Sequence, residues 1–302
     1  MKCLVTGGAG FIGSHVVSRL LHDGHEVVVI DNESAEANDA FNWYDSDVEN
    51  HIEDIRDIEA CRPIFKGVEA VFHLAAHSRI QLAMKNPFDC VTTNVEGTCN
   101  MLELAREVGA RRFVNSSTSS SYGLNNQPPL REYMPTDCLN HYSASKVSAE
   151  KFCYMYYRLH GLRTISLRYF NVYGPRQPLK GQYAPVIGLF QEQKRRGEPM
   201  TIVGDGEQRR DFTHVDDVVE ANMCALNNYV SCEAINIGTG TNYSINQVAD
   251  MIGGERVYIP ERKGEARETL ADITKAKSML GWEPKIKLED QLTSELWSTL
   301  TT

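Results

Sequence analysis

Short apolar runs alternate with amphipathic stretches over the first half of the chain. Strand-like runs fall at Cys3–Thr6, Val27–Asp31, Ala70–Leu74, Arg112–Ser116 and Thr164–Arg168. Between them lie helix-like segments at Phe11–Leu21, Phe88–Val108 and Tyr142–Leu159, the last with Val147, Met155 and Leu159 near one face. Near-continuous apolar strands separated by helices predict a doubly wound α/β fold: a parallel sheet with helices on both faces. After about residue 172 the pattern breaks at Pro175, Pro178, Gly181, Pro185 and Gly188, and shorter elements follow at Thr201–Val203, Val215–Leu226 and Ala234–Gly238. The expected division is a Rossmann-type domain over 1–171 and a smaller lobe over 172–302, with some of its segments crossing back to the large sheet. No repeat, low-complexity tract or flexible linker interrupts the chain.

Composition narrows the class. The 302 residues carry 42% hydrophobic and 24% charged side chains and a formal net charge of −9, without a basic block. That is ordinary globular composition, with no surface suited to nucleic acid or an anionic membrane. No run approaches the roughly 20 apolar residues of a membrane span, and the N-terminus is a strand leading into glycines, unlike a signal peptide. The eight cysteines are scattered without a CxxC pair, which points to reduced thiols of a cytoplasmic protein and to neither a disulfide framework nor a zinc or other metal site.

Thr6-Gly7-Gly8-Ala9-Gly10-Phe11-Ile12-Gly13 follows a strand and opens a helix. Gly7 permits the tight turn, Gly10 lets the backbone approach a pyrophosphate, and Gly13 allows close packing of helix on strand. The N–H groups of Phe11 and Ile12 then face the phosphates. Asp31 ends the second strand, eighteen residues after Gly13. There its carboxylate can accept ribose hydroxyls and repel a 2′-phosphate, and no arginine flanks it, so the expected cofactor is NAD rather than NADP.

Two further patterns carry chemistry. Tyr142-Ser143-Ala144-Ser145-Lys146 places Tyr142 and Lys146 on one helical face, where an ammonium can stabilise a phenolate and make it a usable base. Asn115–Gly123 is a Ser/Thr-rich strand end, and ligands of open α/β sheets sit outside the carboxyl ends of the strands.

The glycine motif, the Ser-rich strand end closing on Tyr122-Gly123, YxxxK, Arg168–Pro175 and Gly204–Phe212 occur in one order along the whole chain. Together they resemble the extended short-chain dehydrogenases that act on nucleotide sugars, the NAD-dependent epimerase/dehydratase family. The resemblance implies a proton acceptor at Tyr142, Lys146 holding it and the nicotinamide ribose, and Thr118 assisting at the sugar 4-hydroxyl. It implies cofactor contacts at Asn32, Asp54, Ile55, Leu74, Ala75, Ala76, Ser78 and Tyr169, with Asn94 supporting that region. It implies substrate contacts at Ser78, Thr118, Asn171, Thr201, Val203, Arg210, Arg262, Glu265 and Thr269. Asn171, Arg210 and Arg262 match positions on the diphosphate, and Thr269 matches a gate beside sugar C2. The resemblance also implies a homodimer built from the helices around Asn94–Val108 and Tyr142–Leu159, with Met101, Leu102, Met155 and Leu159 as apolar candidates.

Within that family the 4,6-dehydratases carry an Asp-Glu pair just after the catalytic Thr, and the decarboxylases keep the Glu. Here those positions are Ser119 and Ser120, which do not titrate near neutral pH. The resulting expectation is a UDP-sugar 4-epimerase, UDP-hexose or UDP-N-acetylhexosamine, working through a transient 4-keto sugar. A dehydratase with an unusual acid, a 4-ketosugar reductase and a non-catalytic NAD-binding regulator remain open at this point. His77-Ser78-Arg79, Asn140-His141 and the stretch Glu33–Asn50 depart from the family pattern.

Overall fold

The computed structural model describes residues 1–35, 44–179, 185–261 and 266–292. Six strands come first: β1 (Lys2–Thr6), β2 (Glu26–Asp31), β3 (Glu49–Ile52), β4 (Ala70–His73), β5 (Arg112–Thr118) and β6 (Thr164–Tyr169). Among the described residues seven more follow: β7 (Val172–Tyr173), β8 (Met200–Val203), β9 (Arg209–Asp211), β10 (Thr213–His214), β11 (Glu233–Ile237), β12 (Asn242–Ser244) and β13 (Arg256–Ile259).

Seven strands form one parallel sheet in the order β11-β6-β5-β4-β1-β2-β3. Chain order reverses at β1, which pairs with both β2 and β4, and the carboxyl edge at such a reversal is where ligands of this architecture bind. Residue parity explains why the sheet is buried twice over. Cys3, Val5, Val27, Val29, Phe72, Val114, Ile165 and Leu167 enter one core, against the helices Phe11–His22 and Val215–Asn227. Leu4, Val28, Ile30, Val71 and Phe113 enter the other, against Gly97–Glu107 and His141–His160.

Element boundaries move where a neighbour extends the pairing. β5 runs to Thr118, beyond the expected Ser116, because β6 continues alongside it to Tyr169. β3 had no apolar signature: it is an edge strand, and Ile52 is exposed. The helical stretch from Pro87 to Glu107 contains a widened π turn at Thr92–Glu96, which carries Asn94.

The chain after residue 171 divides. β11, the helix Val215–Asn227 and Trp282 join the large sheet and its core. Phe190, Met200, Ile202, Phe212, Val248 and Leu288 make a separate small core beyond the carboxyl edge. Asp211 fastens this lobe to the sheet. Its buried carboxylate accepts Thr239 N–H and O–H (2.8 and 2.7 Å), Gly240 N–H (3.0 Å) and Ala271 N–H (3.1 Å).

The glycine turn is closely packed. A Cβ on Gly13 would lie 2.0 Å from the Gly7 carbonyl oxygen, and one on Gly7 (φ +71°) would lie 2.7 Å from the Ala75 amide nitrogen. Gly13→Ala is therefore expected to destabilise the protein by about 1–3 kcal/mol through overpacking, lowering its melting temperature by about 2–10 °C. A thermal unfolding curve superimposable on the native one would contradict this packing.

Candidate active site at the carboxyl edge of the sheet

The cofactor side is built from main chain. Gly7 N–H donates to Ile30 O (2.8 Å), and Leu74 N–H donates to Thr6 O (3.1 Å), so the loops after β1, β2 and β4 interlock. The helix Phe11–His22 starts at Gly10 with no side chain capping it. A Cβ on Gly10 would meet only Gly7 O, at 3.3 Å, so the space in front of the Phe11 and Ile12 amides is open. Asp31 accepts Ala9 N–H (3.0 Å) and Glu33 N–H (2.8 Å), leaving about two of its four acceptor sites for hydroxyl groups. Burial pushes its carboxyl up, while those two amides pull it back. Asn32 and Glu33 follow it, and Glu33 adds negative charge beside it. An uncapped helix end, an open glycine and a carboxylate without a cation beside it fit NAD.

Other expected cofactor positions divide by what their side chains do. Asn32 Nδ2 donates to Asp54 (2.9 Å), whose carboxyl the Arg56 guanidinium holds down at about 2. The Ile55 side chain is buried and packs under Gly97, so only its main chain remains available to a ligand. The Tyr169 hydroxyl likewise turns inward, buried between Ser116 (3.1 Å) and Asn222 (2.9 Å) inside the core. Leu74, Ala75 and Ala76 are partly buried along the loop after β4, and Ser78 is exposed.

Asn94 ties that loop to the Tyr142 helix. Its Oδ1 accepts His77 N–H (2.7 Å), and its Nδ2 donates to Ser145 Oγ (2.9 Å) and His77 O (3.1 Å). Ser145 in turn donates to the Tyr142 carbonyl (2.8 Å). Below it lies His73, which the sequence reading missed. Thr98 donates to Asn94 O (2.6 Å), so it must accept His73 Nε2–H (2.9 Å). Nδ1 is then the acceptor for the Thr6 hydroxyl (2.8 Å), which itself accepts Ala75 N–H (3.2 Å). Complete burial pushes this imidazole down to about 3, with the Lys146 charge adding to it, so it stays neutral. The only sequence signal was a histidine inside an otherwise apolar strand.

Tyr142 and Lys146 sit in the first two turns of His141–His160, which Asn140 and Ser143 start with a reciprocal cap. Burial pushes the Tyr142 phenol up, and a hydrogen bond with Thr118 pulls it down. Thr118 Oγ accepts Ser120 N–H (3.1 Å), so its own proton is available to the phenol oxygen. Burial brings the Lys146 ammonium down to about 8. No carboxylate acts on Tyr142 among the described residues.

On the substrate side, Asn171 has φ +28° and donates to Asp211 O (2.8 Å) and Thr269 Oγ (3.4 Å), so Asn171 and Thr269 are adjacent. The half-buried Arg210 guanidinium donates to Arg209 O (3.0 Å). Thr201 and Val203 stand on β8, held by Gln193 (2.9 Å) and Gln208 (3.0 Å). Arg262 and Glu265 lie outside the described residues.

The arrangement has counterparts. A model of the NAD dependent epimerase/dehydratase family matches residues 3–238. The UDP-glucose 4-epimerase of Thermotoga maritima, solved with UDP-glucose, superposes with a TM-score of 0.92 at 40% identity, covering 97% of this chain and 96% of that one. The UDP-glucuronate 4-epimerase of Thermodesulfobacterium geofontis is 37% identical over 96% of this chain and 93% of its own length. A protein of different activity, UDP-glucuronic acid decarboxylase 1 of Xenopus tropicalis, is 36% identical over 96% of this chain and 70% of its own. With the match spanning both the glycine turn and the Tyr142–Lys146 helix, the chain belongs to the NAD-dependent epimerase/dehydratase family.

Proposed function

We propose that the protein is a UDP-sugar 4-epimerase. The observation that carries this reading is the Thr118–Tyr142–Lys146 group at the carboxyl end of β5, with no carboxylate bearing on the phenol among the described residues. Gly7, Gly10, Phe11, Ile12, Gly13 and Asp31 would hold NAD, which would supply reversible hydride chemistry at sugar C4. Tyr142 takes the 4-hydroxyl proton and gives it back after the 4-keto sugar has turned over. Thr118 donates to the phenol oxygen and so favours its ionised form, and the Lys146 ammonium supplies positive charge on the same helical face. Elimination of water or loss of a carboxylate would call for further acid–base groups. Ser119 and Ser120 stand where the dehydratases and decarboxylases have carboxylates, so returning the hydride is the chemistry this site supports best.

Four further assignments extend the reading. Cofactor contacts at Asn32, Asp54, Leu74, Ala75, Ala76 and Ser78, and main-chain contacts at Ile55 and Tyr169, follow from their place around the β1–β4 edge. Substrate contacts at Asn171, Arg210 and Thr269 follow from their grouping around Asp211. All eight cysteines are free, which suits a reducing cytoplasm, and no helix among the described residues is long and apolar enough to cross a membrane.

The fourth is a homodimer, with one correction to its surface. Met101 and Leu102 are fully buried inside the protomer and belong to its core. Phe88 is 86% exposed, and Met84, Val91, Tyr154, Tyr157 and Leu159 are exposed as well, on segments packed against or within His141–His160. Exposed apolar residues on these helices are the expected contact between two copies.

Three measurements test the reading. Tyr142→Phe should keep fold and NAD binding while lowering turnover by about 10²–10⁴-fold; near-native turnover would remove Tyr142 from the chemistry. Light scattering at micromolar concentration should give a dimer mass for the native protein and a monomer mass for Phe88→Asp, and a native monomer would refute the dimer. Thr269 is small, so N-acetylated UDP-hexosamines should be accepted. Thr269→Tyr should cut kcat/KM for UDP-N-acetylglucosamine by about 10–200-fold and leave UDP-glucose nearly unchanged. Equal effects on both sugars would show that Thr269 is not the gate.

A further inference from the structure

Glu150 continues the helical stripe that Tyr142 and Lys146 begin, at spacings of four and eight residues. Its carboxylate side chain is only 8% exposed and is held from two strands at once. Arg168 of β6 donates through Nε to Oε1 (2.8 Å) and through Nη2 to Oε2 (2.7 Å), a bidentate pair. Ser117 of β5 donates its hydroxyl to Oε1 (2.5 Å). The same guanidinium lies 4.9 Å from the centre of the Tyr122 ring, and the Tyr122 hydroxyl donates to Asn236 of β11 (2.6 Å). Asn236 then donates to Leu130 O (2.8 Å) and to Asp272 O (3.2 Å), the latter on the segment that carries Thr269.

Each anchor of this network stands next to a candidate site residue. Ser117 precedes Thr118, Glu150 lies one turn beyond Lys146, and Arg168 precedes Tyr169. A buried ion pair contributes little net stability, because stripping water from both ions offsets most of their attraction. A bidentate guanidinium–carboxylate pair does supply a fixed geometry. We infer that Glu150 is a positioning residue: clamped by Arg168 and Ser117, it sets the spacing between the strand end bearing Thr118 and the helix bearing Tyr142 and Lys146. Its carboxylate also opposes the effect of burial on the Lys146 ammonium. The inference rests on the proposed epimerase reading for its effect on turnover, and on geometry alone for its effect on Tyr142.

The test removes the pair without leaving a buried charge behind. A Glu150→Met, Arg168→Met double variant replaces both ions by apolar side chains, a change that buried pairs often tolerate in stability. Ser117→Ala deletes one hydrogen bond and keeps the pair, so it serves if the double variant does not fold. The double variant should keep its melting temperature and KM for UDP-glucose near native values while kcat falls by about 10–100-fold, as a displaced reacting group would cause. Ser117→Ala should lower kcat in the same direction by a smaller factor. A folded double variant with native kcat would reduce the pair to a structural role and overturn the inference, as would a native kcat in Ser117→Ala. A second readout does not depend on the reaction. In protein labelled with ¹³Cζ-tyrosine, the Tyr142 resonance is identified by its loss in Tyr142→Phe. It should shift in Ser117→Ala and in the double variant, and an unmoved resonance overturns the inference even if the native protein epimerises no UDP-sugar. Absence of native turnover with a shifted resonance would count against the epimerase reading alone.

Discussion

The carboxamide of Asn94 is the joint on which the catalytic edge depends. It makes hydrogen bonds to both the N–H and the carbonyl of His77 and to the Ser145 hydroxyl, so one buried side chain grips the loop after β4 and the helix bearing Tyr142. Its own position is set by the π turn at Thr92–Glu96 and by the line of hydrogen bonds through Thr98, His73 and Thr6 to the Ala75 amide. A parallel sheet covered on both faces leaves no water to satisfy such groups, and an unpaired one costs about 1–3 kcal/mol. Asn94, Thr98, His73 and Thr6 therefore hold one another, and that chain of hydrogen bonds places the loop, the strand ends and the helix relative to one another.

A second constraint closes the site from the other side. Asp211 is buried and gathers four donors from Thr239, Gly240 and Ala271, which brings β9, the loop after β11 and the segment near residue 270 together. Asn171 and Thr269 meet over the Asp211 main chain as a consequence. The small core around Phe190, Ile202, Phe212 and Val248 supports this lobe independently of the large sheet. A ligand lying between them would thus contact a floor at the strand ends and a lobe that the Asp211 carboxylate helps to pin. The Ser117–Glu150–Arg168 clamp lies in the floor and is connected to that lobe through Tyr122 and Asn236.

Local pattern by itself determined the alternation of strands and helices and marked candidate parts of the site. Apolar runs at 27–31 and 70–74 announce buried strands, glycines at 7, 10 and 13 announce a tight turn into a helix, and a tyrosine and lysine four apart fall on one helical face. These signals are readable because each depends on residues adjacent in sequence and on backbone geometry that only certain side chains permit. Tertiary structure alone decided what depends on contacts between distant segments. β3 exists as a strand because β2 offers it a free edge, and β5 reaches Thr118 because β6 accompanies it. The hydroxyl of Tyr169 and the side chain of Ile55 turn inward because Asn222 and Gly97 receive them. Met101 and Leu102 have the same hydrophobicity as an interface residue, and only the packed neighbours show them to be core. Glu150 and Asp211 carry no sequence signature of their roles, and His73 only its place in an apolar strand, because a buried polar group is defined by its partners, and those lie 18, 60 and 25 residues away.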